Sequence, residues 1–316
     1  MKNFLAPIVL FVYNRPDHTE KTLKALQKNL LSEQSELFVF CDGPKTDTDH
    51  TTILNIEKTR EIVRSKNWCK EVTVYESETN KGLAISIKEG VAKIINQFGK
   101  IIVLEDDIVT AKGFLKYMND ALNLYESNNK VMHIGSYLPY TNSVKNLPET
   151  FFSRFMSCWG WATWKTAWDK AHWDETQLYQ QIKDPKVRYE FNLEGVLNFH
   201  EQLENNINGS IKTWAIMWFA SMFLNKGLCL YPRISLSDNI GLDGSGENCD
   251  DQTKTFVLNT DQNIVVKRIA VKESKKGKTY LKRCYKYGED SSGKRRVWQI
   301  YIKYRHQLIK LIKGIE

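Results

Sequence analysis

The chain has no long apolar run and no clustered cysteines, and each absence excludes a class of protein. No stretch of its 316 residues reaches the roughly 18 uninterrupted apolar residues that a transmembrane helix needs. The apolar run at residues 4–13 is short, contains Pro7 and lacks a small-residue cleavage site, so we interpret it as a buried strand rather than an export signal. The six cysteines form no C-x-x-C pair, which argues against a zinc site or a disulfide framework and is typical of a reducing cytoplasm.

Glycine-rich nucleotide-binding loops are also missing. The segment after the first apolar run reads Tyr13-Asn-Arg-Pro-Asp17, which is neither the G-x-G-x-x-G of dehydrogenases nor the G-x-x-x-x-G-K-[ST] of P-loop proteins. A sugar nucleotidyltransferase, which would share a similar fold, should also carry a glycine-rich loop there. These three classes are therefore disfavoured, and the nucleotidyltransferase remains an alternative.

The net charge of +8 is unevenly distributed along the chain. Residues 262–316 contain 16 Lys and Arg against 4 Asp and Glu, and the rest contains 29 basic and 33 acidic residues. A mildly acidic body with a basic tail predicts that the tail meets an anionic surface. A nucleic-acid-binding protein would explain the tail but not the acidic clusters in the body, so we expect no nucleic-acid partner.

The first half alternates strand and helix signals. Apolar runs predict buried strands at residues 8–12, 37–40, 72–75 and 101–104, and helical spacing predicts helices at 17–30, 83–98 and 114–122. This alternation predicts an α/β fold with a mostly parallel sheet and helices on both faces. Polar clusters at residues 14–15, 42–43 and 105–107 follow three of the strands, so we expect them to converge at the carboxyl edge of the sheet.

The triplet Glu105-Asp106-Asp107 is the strongest candidate site. Carboxylate oxygens suit Mg²⁺ or Mn²⁺, and three adjacent acids repel one another unless a cation or hydrogen-bond donors satisfy them. The alternative is a helix N-cap, which would explain one acid only.

Other candidate residues allow two interpretations each. Asp42 could bind a nucleoside or make a turn into Gly43, and Arg15 could pair with a diphosphate or be a solvated loop cation. Five of the nine tryptophans, at positions 159, 161, 164, 168 and 173, could stack on sugars or form a core. We assign residues 159–161 to the site and the remaining tryptophans to the core.

These segments together resemble a known family. Residues 7–26, 37–45, 101–140, 151–168 and 228–241 are similar to GT-A glycosyltransferases of the N-acetylglucosaminyltransferase I type and to bacterial family 2 transferases. The resemblance covers roughly the first 250 residues and is best at Ile102-Val-Leu-Glu-Asp-Asp-Ile-Val-Thr-Ala-Lys-Gly-Phe-Leu115. It implies a GT-A domain over residues 1–255, followed by a basic extension over 256–316.

The resemblance also implies roles for individual residues. Asp107 would bind the metal, Mn²⁺ or Mg²⁺, and Asp106 would contact the ribose or sugar of the donor. The other implied donor-binding residues are Tyr13, Arg15, Asp42, Lys81, Gly82 and Glu105. Trp159, Gly160 and Trp161 fall where the family has its acceptor loop.

The sequence departs from the family at the catalytic base. The family carries a carboxylate just before a tryptophan, but here that segment reads Ile211-Lys-Thr-Trp214, and no acid occurs between Glu204 and Asp238. Glu204, Asp238 and Asp243 are the nearest candidates, and we select Asp238.

The expected function follows from the resemblance. It implies an inverting hexosyl- or N-acetylhexosaminyltransferase that moves a sugar from a nucleoside-diphosphate sugar, a UDP-sugar, to a hydroxyl of a glycan or lipid-linked acceptor. Together with the composition, it predicts a cytoplasmic enzyme of bacterial surface polysaccharide synthesis. Residues 294–316 combine one apolar helix face with basic residues, which predicts an amphipathic helix on the inner leaflet of the membrane. The alternative is that this helix packs on the domain or pairs with a second subunit.

Overall fold

A computed structural model describes residues 4–139, 142–243 and 258–287. Its strands are β1 (Ile8–Val12), β2 (Glu36–Cys41), β3 (Glu71–Glu76), β4 (Lys100–Glu105), β5 (Ile108–Thr110), β6 (Val131–Gly135), β7 (Thr150–Ser153), β8 (Trp161–Trp164), β9 (Leu228–Pro232) and β10 (Ser237–Asn239). Its helices are α1 (Pro16–Gln27), α2 (His50–Arg64), α3 (Leu83–Phe98), α4 (Phe114–Tyr125), α5 (Lys165–Trp168), α6 (Glu175–Ile182), α7 (Pro185–Phe191), α8 (Phe199–Ile207), α9 (Ala215–Leu224) and α10 (Lys275–Tyr287). Short 3-10 turns lie at Ser32–Gln34 and Asn142–Asn146.

Within the described residues, the main sheet has eight strands in the order β3-β2-β1-β4-β8-β6-β9-β7. The first four strands of this order are mutually parallel, and β6 and β9 also form a parallel pair. Strand β8 is antiparallel to both β4 and β6, and β7 is antiparallel to β9. The predicted α/β fold with a mostly parallel sheet is confirmed.

The apolar strands form as the sequence predicts because the sheet is covered on both faces. In β1, Val9 and Phe11 face one core, whereas Ile8 and Leu10 face the other. A strand covered on both faces reads as a continuous apolar run rather than an alternating one. Helix α3 ends where predicted, at Gly99, whose φ of +76° is the left-handed conformation that favours glycine.

The second half supplies elements that the sequence pattern did not define. Helices α6 to α9 cover one face of the sheet, and residues 216–223 of α9 are all buried. Such a helix is apolar all round and shows no amphipathic period that would mark it in the sequence.

The first part of the basic extension packs on the body of the protein. Ile264 is fully buried, the Gly113 N–H donates to the Gln262 carbonyl at 3.1 Å, and the Tyr125 hydroxyl donates to the Lys267 carbonyl at 3.3 Å. The predicted boundary at 255/256 and the predicted amphipathic helix at 294–316 lie outside the described residues. Among the helices of the described part, none combines the length and apolar character needed to cross a bilayer.

Candidate active site

The carboxyl ends of β1 and β4 bring Arg15 against the acidic triplet. These strands are adjacent and parallel, with Phe11 opposite Glu105, so the residues that follow them meet at one edge of the sheet. Arg15 Nη1 lies 2.9 Å from Asp107 Oδ2 and 3.5 Å from Asp106 Oδ1. The Arg15 side chain is only 14% exposed. It is therefore an ion-pair partner of the acids rather than a solvated loop cation.

Two hydrogen bonds from neighbouring residues hold Asp106 in position. The Thr22 hydroxyl of α1 donates to the Asp106 carbonyl at 2.8 Å, which ties that helix to the triplet. The backbone N–H of Tyr13 donates to the Asp106 carboxylate. Tyr13, one of the expected donor-binding residues, thus reaches the site through its backbone.

Burial and mutual repulsion raise the pKa values of two of the three acids. Burial is the largest cause for Asp106, followed by the charge of Asp107, and together they raise its pKa to about 7 against the opposing effect of Arg15. Burial also raises the pKa of Glu105 well above its usual range, and the charges of Asp107 and Asp106 add to this effect. One arginine therefore leaves the triplet short of positive charge.

A second segment, residues 237–243, closes over the triplet. Strand β10 pairs antiparallel with β5, which directly follows the acids, and the Ile240 N–H donates to the Asp107 carbonyl at 2.9 Å. Gly241 fits so tightly that a Cβ there would lie 2.2 Å from Asp107 Oδ2 and 2.5 Å from Arg15 Nη2. Only glycine can occupy this position without displacing a charged group.

Asp243 joins this segment to the same ion-pair cluster. Its carboxylate lies 3.8 Å from Arg15 Nη2 and 3.0 Å from His18 Nε2. Asp243 is one of the candidate bases predicted from the sequence, whereas His18 and Gly241 are candidates that come from the structure alone. No sequence motif marks His18. Gly241 lies in a glycine-dense turn, and its contacts with Asp107 and Arg15 depend on the fold.

Asp42 organises a turn instead of facing an open pocket. Its Oδ1 accepts hydrogen bonds from the Gly43 and Lys81 N–H groups, both at 2.9 Å. Its Oδ2 accepts from the Gly82 N–H at 2.9 Å and from Asn80 Nδ2 at 3.1 Å. With two donors on each oxygen, the carboxylate holds the turn together. Binding of the nucleotide-sugar donor by Asp42 stays a prediction.

The turn at residues 80–82 precedes α3. Gly82 is the N-cap of α3, with φ +76°, and no side chain caps this helix. The Lys81 ammonium lies 2.7 Å from Glu89 at the surface, so its side chain is held along the helix.

The tryptophan cluster divides between core and site. Trp161 is 0% exposed and stacks on Trp214 at 5.2 Å and on His133 at 5.3 Å between ring centroids. A sugar ring cannot reach it, so the assignment of Trp161 to the acceptor is corrected to core packing. Trp159 is half-buried and lies against Tyr137, with ring centroids 4.3 Å apart. Of the two tryptophans assigned to the site, Trp159 is the one whose side chain is partly exposed, as stacking requires.

A buried hydroxyl network joins the Trp159 loop to β10. Ser136 Oγ and Ser237 Oγ are 2.6 Å apart. Ser237 donates to the Trp159 carbonyl at 2.6 Å, and Ser136 lies 2.7 Å from the Gly160 carbonyl. Gly160 has φ +77°, and a Cβ there would lie 2.7 Å from Ser136 Oγ. The candidate acceptor loop and the segment over the triplet are thus held as one unit.

The candidate bases differ in position. Asp238 is half-buried on β10, opposite Val109 of β5, and two residues before the backbone contact to Asp107. Asp243 takes part directly in the ion-pair cluster, whereas Glu204 is exposed on α8. Asp238 stays a prediction.

The side chains at the triplet supply only part of the ligands that a divalent cation needs. Among the described residues, no three His, Cys, Asp or Glu side chains are arranged to hold a metal. Mg²⁺ is, however, commonly bound by one or two carboxylates together with substrate phosphates. Asp106 and Asp107 share the single guanidinium of Arg15, and burial together with their mutual repulsion raises the pKa values of Glu105 and Asp106. The residues therefore fit a cation whose remaining ligands come from a phosphate.

Comparison with known proteins finds a structural similarity but no family. No family model matches the chain, and no curated protein matches it. Among solved structures, the chain is similar to TarS of S. aureus, a glycosyltransferase, with a TM-score of 0.35 and 16% sequence identity. The match covers 70% of this chain and 43% of TarS, so the chain spans less than half of the length of that protein.

Proposed function

We propose that this chain is a glycosyltransferase that transfers a sugar from a nucleoside-diphosphate sugar to a hydroxyl group with inversion. The observation that carries the proposal is the cluster of Arg15, Asp106 and Asp107 at the carboxyl edge of the sheet, covered by residues 237–243. Ligands of open α/β sheets bind at this edge. A cluster with both acids and an arginine suits a ligand that brings phosphates together with a cation.

Arg15 has the central role in donor binding. Its guanidinium can leave the carboxylates and pair with the diphosphate, for which its planar fork is suited. The remaining donor contacts come from Glu105 and Asp106, from the backbone at Tyr13 and from the turn of Lys81 and Gly82. Asp42 supports this turn through its hydrogen bonds.

Asp107 would hold the metal, Mn²⁺ or Mg²⁺, with a contribution from Asp106. When bound, such an ion supplies positive charge for the leaving diphosphate. The chain's own part is to hold the two carboxylates in place, which Thr22 and the Ile240 N–H do through the backbone of the triplet.

The acceptor would bind beside Trp159. Its partly exposed indole offers an apolar face for a sugar ring, and the hydroxyl network at Ser136 and Ser237 fixes the loop that carries it. Asp238 is the proposed base that takes the proton of the acceptor hydroxyl. Asp243 is the alternative base, because its carboxylate lies in the ion-pair cluster.

The proposed setting follows from composition and resemblance. The donor would be a UDP-sugar carrying a hexose or N-acetylhexosamine, and the acceptor a glycan or lipid-linked saccharide of a bacterial surface polysaccharide. The enzyme would act in the cytoplasm at the inner face of the membrane, with the basic tail at residues 294–316 as its contact.

The test is a ligand and turnover screen of the purified full-length chain. UDP with Mn²⁺ should raise the melting temperature more than either does alone, and one nucleotide sugar should be hydrolysed slowly in the absence of acceptor. With an acceptor, the product should have the anomeric configuration opposite to that of the donor. Formation of pyrophosphate from a nucleoside triphosphate and a sugar phosphate would instead identify a nucleotidyltransferase.

A further inference from the structure

Helix α10 is anchored to the body along one face. Leu281 and Cys284 are buried, and the Tyr280 hydroxyl donates to the Pro139 carbonyl at 2.6 Å. Gly277 lies so close to Phe151 of β7 that a Cβ would be 2.2 Å from its ring. The helix is therefore fixed in orientation, and no described residue covers its opposite face.

The basic residues nearest the body are neutralised. Lys278 lies 2.6 Å from Glu194 and 3.5 Å from Glu273, and Lys282 is also paired with Glu194. The hydrogen bonds from Lys278 and Lys282 hold the pKa of Glu194 below its usual value. These two lysines serve to attach the helix.

The outer face of α10 differs in charge. Its exposed cations, together with the lysine just before the helix, are Lys272, Lys275, Lys276, Arg283 and Lys286. No described residue forms an ion pair with any of these five, and Glu273, the one acid at positions 272–287, is turned to the body. We name these five residues the outer basic face. A row of cations without acids gives a local positive potential that the acidic body does not share.

The direction of α10 relates this face to the candidate site. The helix starts beside β7, where Phe152 bridges to Glu273, and reaches Pro139, which follows the end of β6. Strand β6 ends at the same edge of the sheet as β4, since both are antiparallel to β8. The helix thus ends at Tyr287, 54% exposed, after running towards the edge that carries the triplet.

We propose that the outer basic face of α10 docks on an anionic lipid surface. A planar bilayer can touch one row of cations while the acidic body stays away from it, whereas a flexible polyanion would also meet the acids of the body. Tyr287 adds an aromatic ring of the kind enriched at membrane interfaces. This contact is separate from the predicted tail at residues 294–316 and does not depend on the chain being a glycosyltransferase.

Flotation of the full chain with vesicles tests the proposal. We expect binding to phosphatidylglycerol-containing vesicles, weaker binding at high salt, and none to phosphatidylcholine alone. The variant Lys275→Gln, Lys276→Gln, Arg283→Gln should bind the anionic vesicles at least about tenfold more weakly, since each cation near such a surface contributes roughly fivefold. The matched control Lys58→Gln, Lys183→Gln, Lys186→Gln removes three exposed cations from α2, the end of α6 and α7 and should bind like wild type.

The outcomes decide between the partners. All substituted side chains are exposed, so the melting temperature should equal that of wild type. If the melting temperature of the triple variant is lower, the double variant Lys275→Gln, Lys276→Gln is used in its place. Equal vesicle binding by the α10 variant and the control would overturn the proposal. The proposal would also be overturned if the α10 variant lost binding to a single-stranded oligonucleotide but kept binding to vesicles. The outer basic face would then be a nucleic-acid contact.

Discussion

At the scale of single residues, Asp107 separates a ligand-binding role from a structural one. Its carboxylate helps to raise the pKa of both neighbouring acids, so it repels their charged forms in the free protein. Asp107→Asn should abolish turnover and the joint stabilisation by UDP and Mn²⁺. The melting temperature without ligands should be unchanged or higher, because the substitution relieves repulsion.

The matched control for Asp107 is a surface acid. Asp120→Asn breaks only the exposed ion pair with Lys116, at 2.6 Å, and should change stability by less than about 1 kcal/mol without affecting turnover. If Asp107→Asn keeps full activity, Asp107 is not a metal ligand. If it instead lowers the stability of the free protein, Asp107 has a structural role through its ion pair with Arg15.

His133 makes folding stability sensitive to pH. Its Nε2 donates to the Ser157 carbonyl at 3.0 Å and its Nδ1 accepts from Trp218 Nε1 at 3.1 Å, so both nitrogens are used in the neutral ring. Burial lowers its pKa from 6.5 to about 4. Between these two values the unfolded chain binds more protons than the folded chain. Stability should therefore fall as pH drops from 6.5 to 4, by up to about 3 kcal/mol, and be unaffected by His133 above pH 6.5.

Urea denaturation across this pH range measures the effect. His133→Gln should be less stable at pH 7 but lose the share of the pH dependence that His133 causes. His50→Gln, at an exposed position on α2, is the control and should follow wild type. A wild-type slope retained in His133→Gln would show that other groups cause the acid sensitivity.

At the scale of elements, Asp42 is expected to hold the turn before α3. Asp42→Ala removes the acceptor of the Lys81 and Gly82 N–H groups, so hydrogen exchange at these two amides should accelerate by about tenfold or more. The Michaelis constant for the donor should rise more than the turnover number falls, because the turn positions the donor.

Asp49, the N-cap of α2, serves as the control for Asp42. Asp49 accepts from the Thr52 N–H at the start of α2, and Asp49→Ala should destabilise this helix end while leaving exchange at residues 81 and 82 unchanged. Unaltered exchange in Asp42→Ala would mean that the turn is held by other contacts.

Gly241 tests whether the segment after β10 must close on the triplet. In Gly241→Ala the new methyl group would collide with the charged ends of Asp107 and Arg15, so these side chains must leave their positions or the segment must move outward. Stabilisation by UDP with Mn²⁺ should decrease at least about tenfold in apparent affinity, which corresponds to about 1.4 kcal/mol.

A second glycine controls for backbone strain. Gly209 has φ +76° and open space around it, so Gly209→Ala should cost about 1 kcal/mol of stability and leave ligand binding unchanged. Full ligand binding by Gly241→Ala would mean that closure of this segment is not required.

At the scale of the whole molecule, two truncations separate the tail from α10. Ending the chain after Gly293 should leave the free energy of unfolding unchanged and weaken vesicle binding, since the predicted membrane helix is lost. Ending it before Lys275 also removes Tyr280, Leu281 and Cys284 from the core and should cost at least about 3 kcal/mol in urea denaturation. A large loss of stability on removing residues 294–316 would favour the alternative that the tail packs on the domain.

The sequence by itself determined the parallel half of the sheet, β1 to β4, and the acids at its edge. The strands at residues 8–12, 37–40, 72–75 and 101–104 are continuous apolar runs of strand length, and a sheet covered on both faces is the fold that buries them. Because parallel strands end at one edge, the sequence was also sufficient to place Arg15 beside residues 105–107.

Only the tertiary structure decided how side chains in distant segments are used. The local sequence allows two roles for Asp42 and two for Trp161. The turn contacts of Asp42 come from Asn80 to Gly82, and the ring that stacks on Trp161 belongs to Trp214, so both sets of contacts are remote in sequence. The contact of Gly241 with Asp107 and the solvent-facing side of α10 likewise depend on how remote strands and helices pack. No local periodicity encodes such contacts, because burial of a polar or aromatic side chain is set by what the rest of the fold places over it.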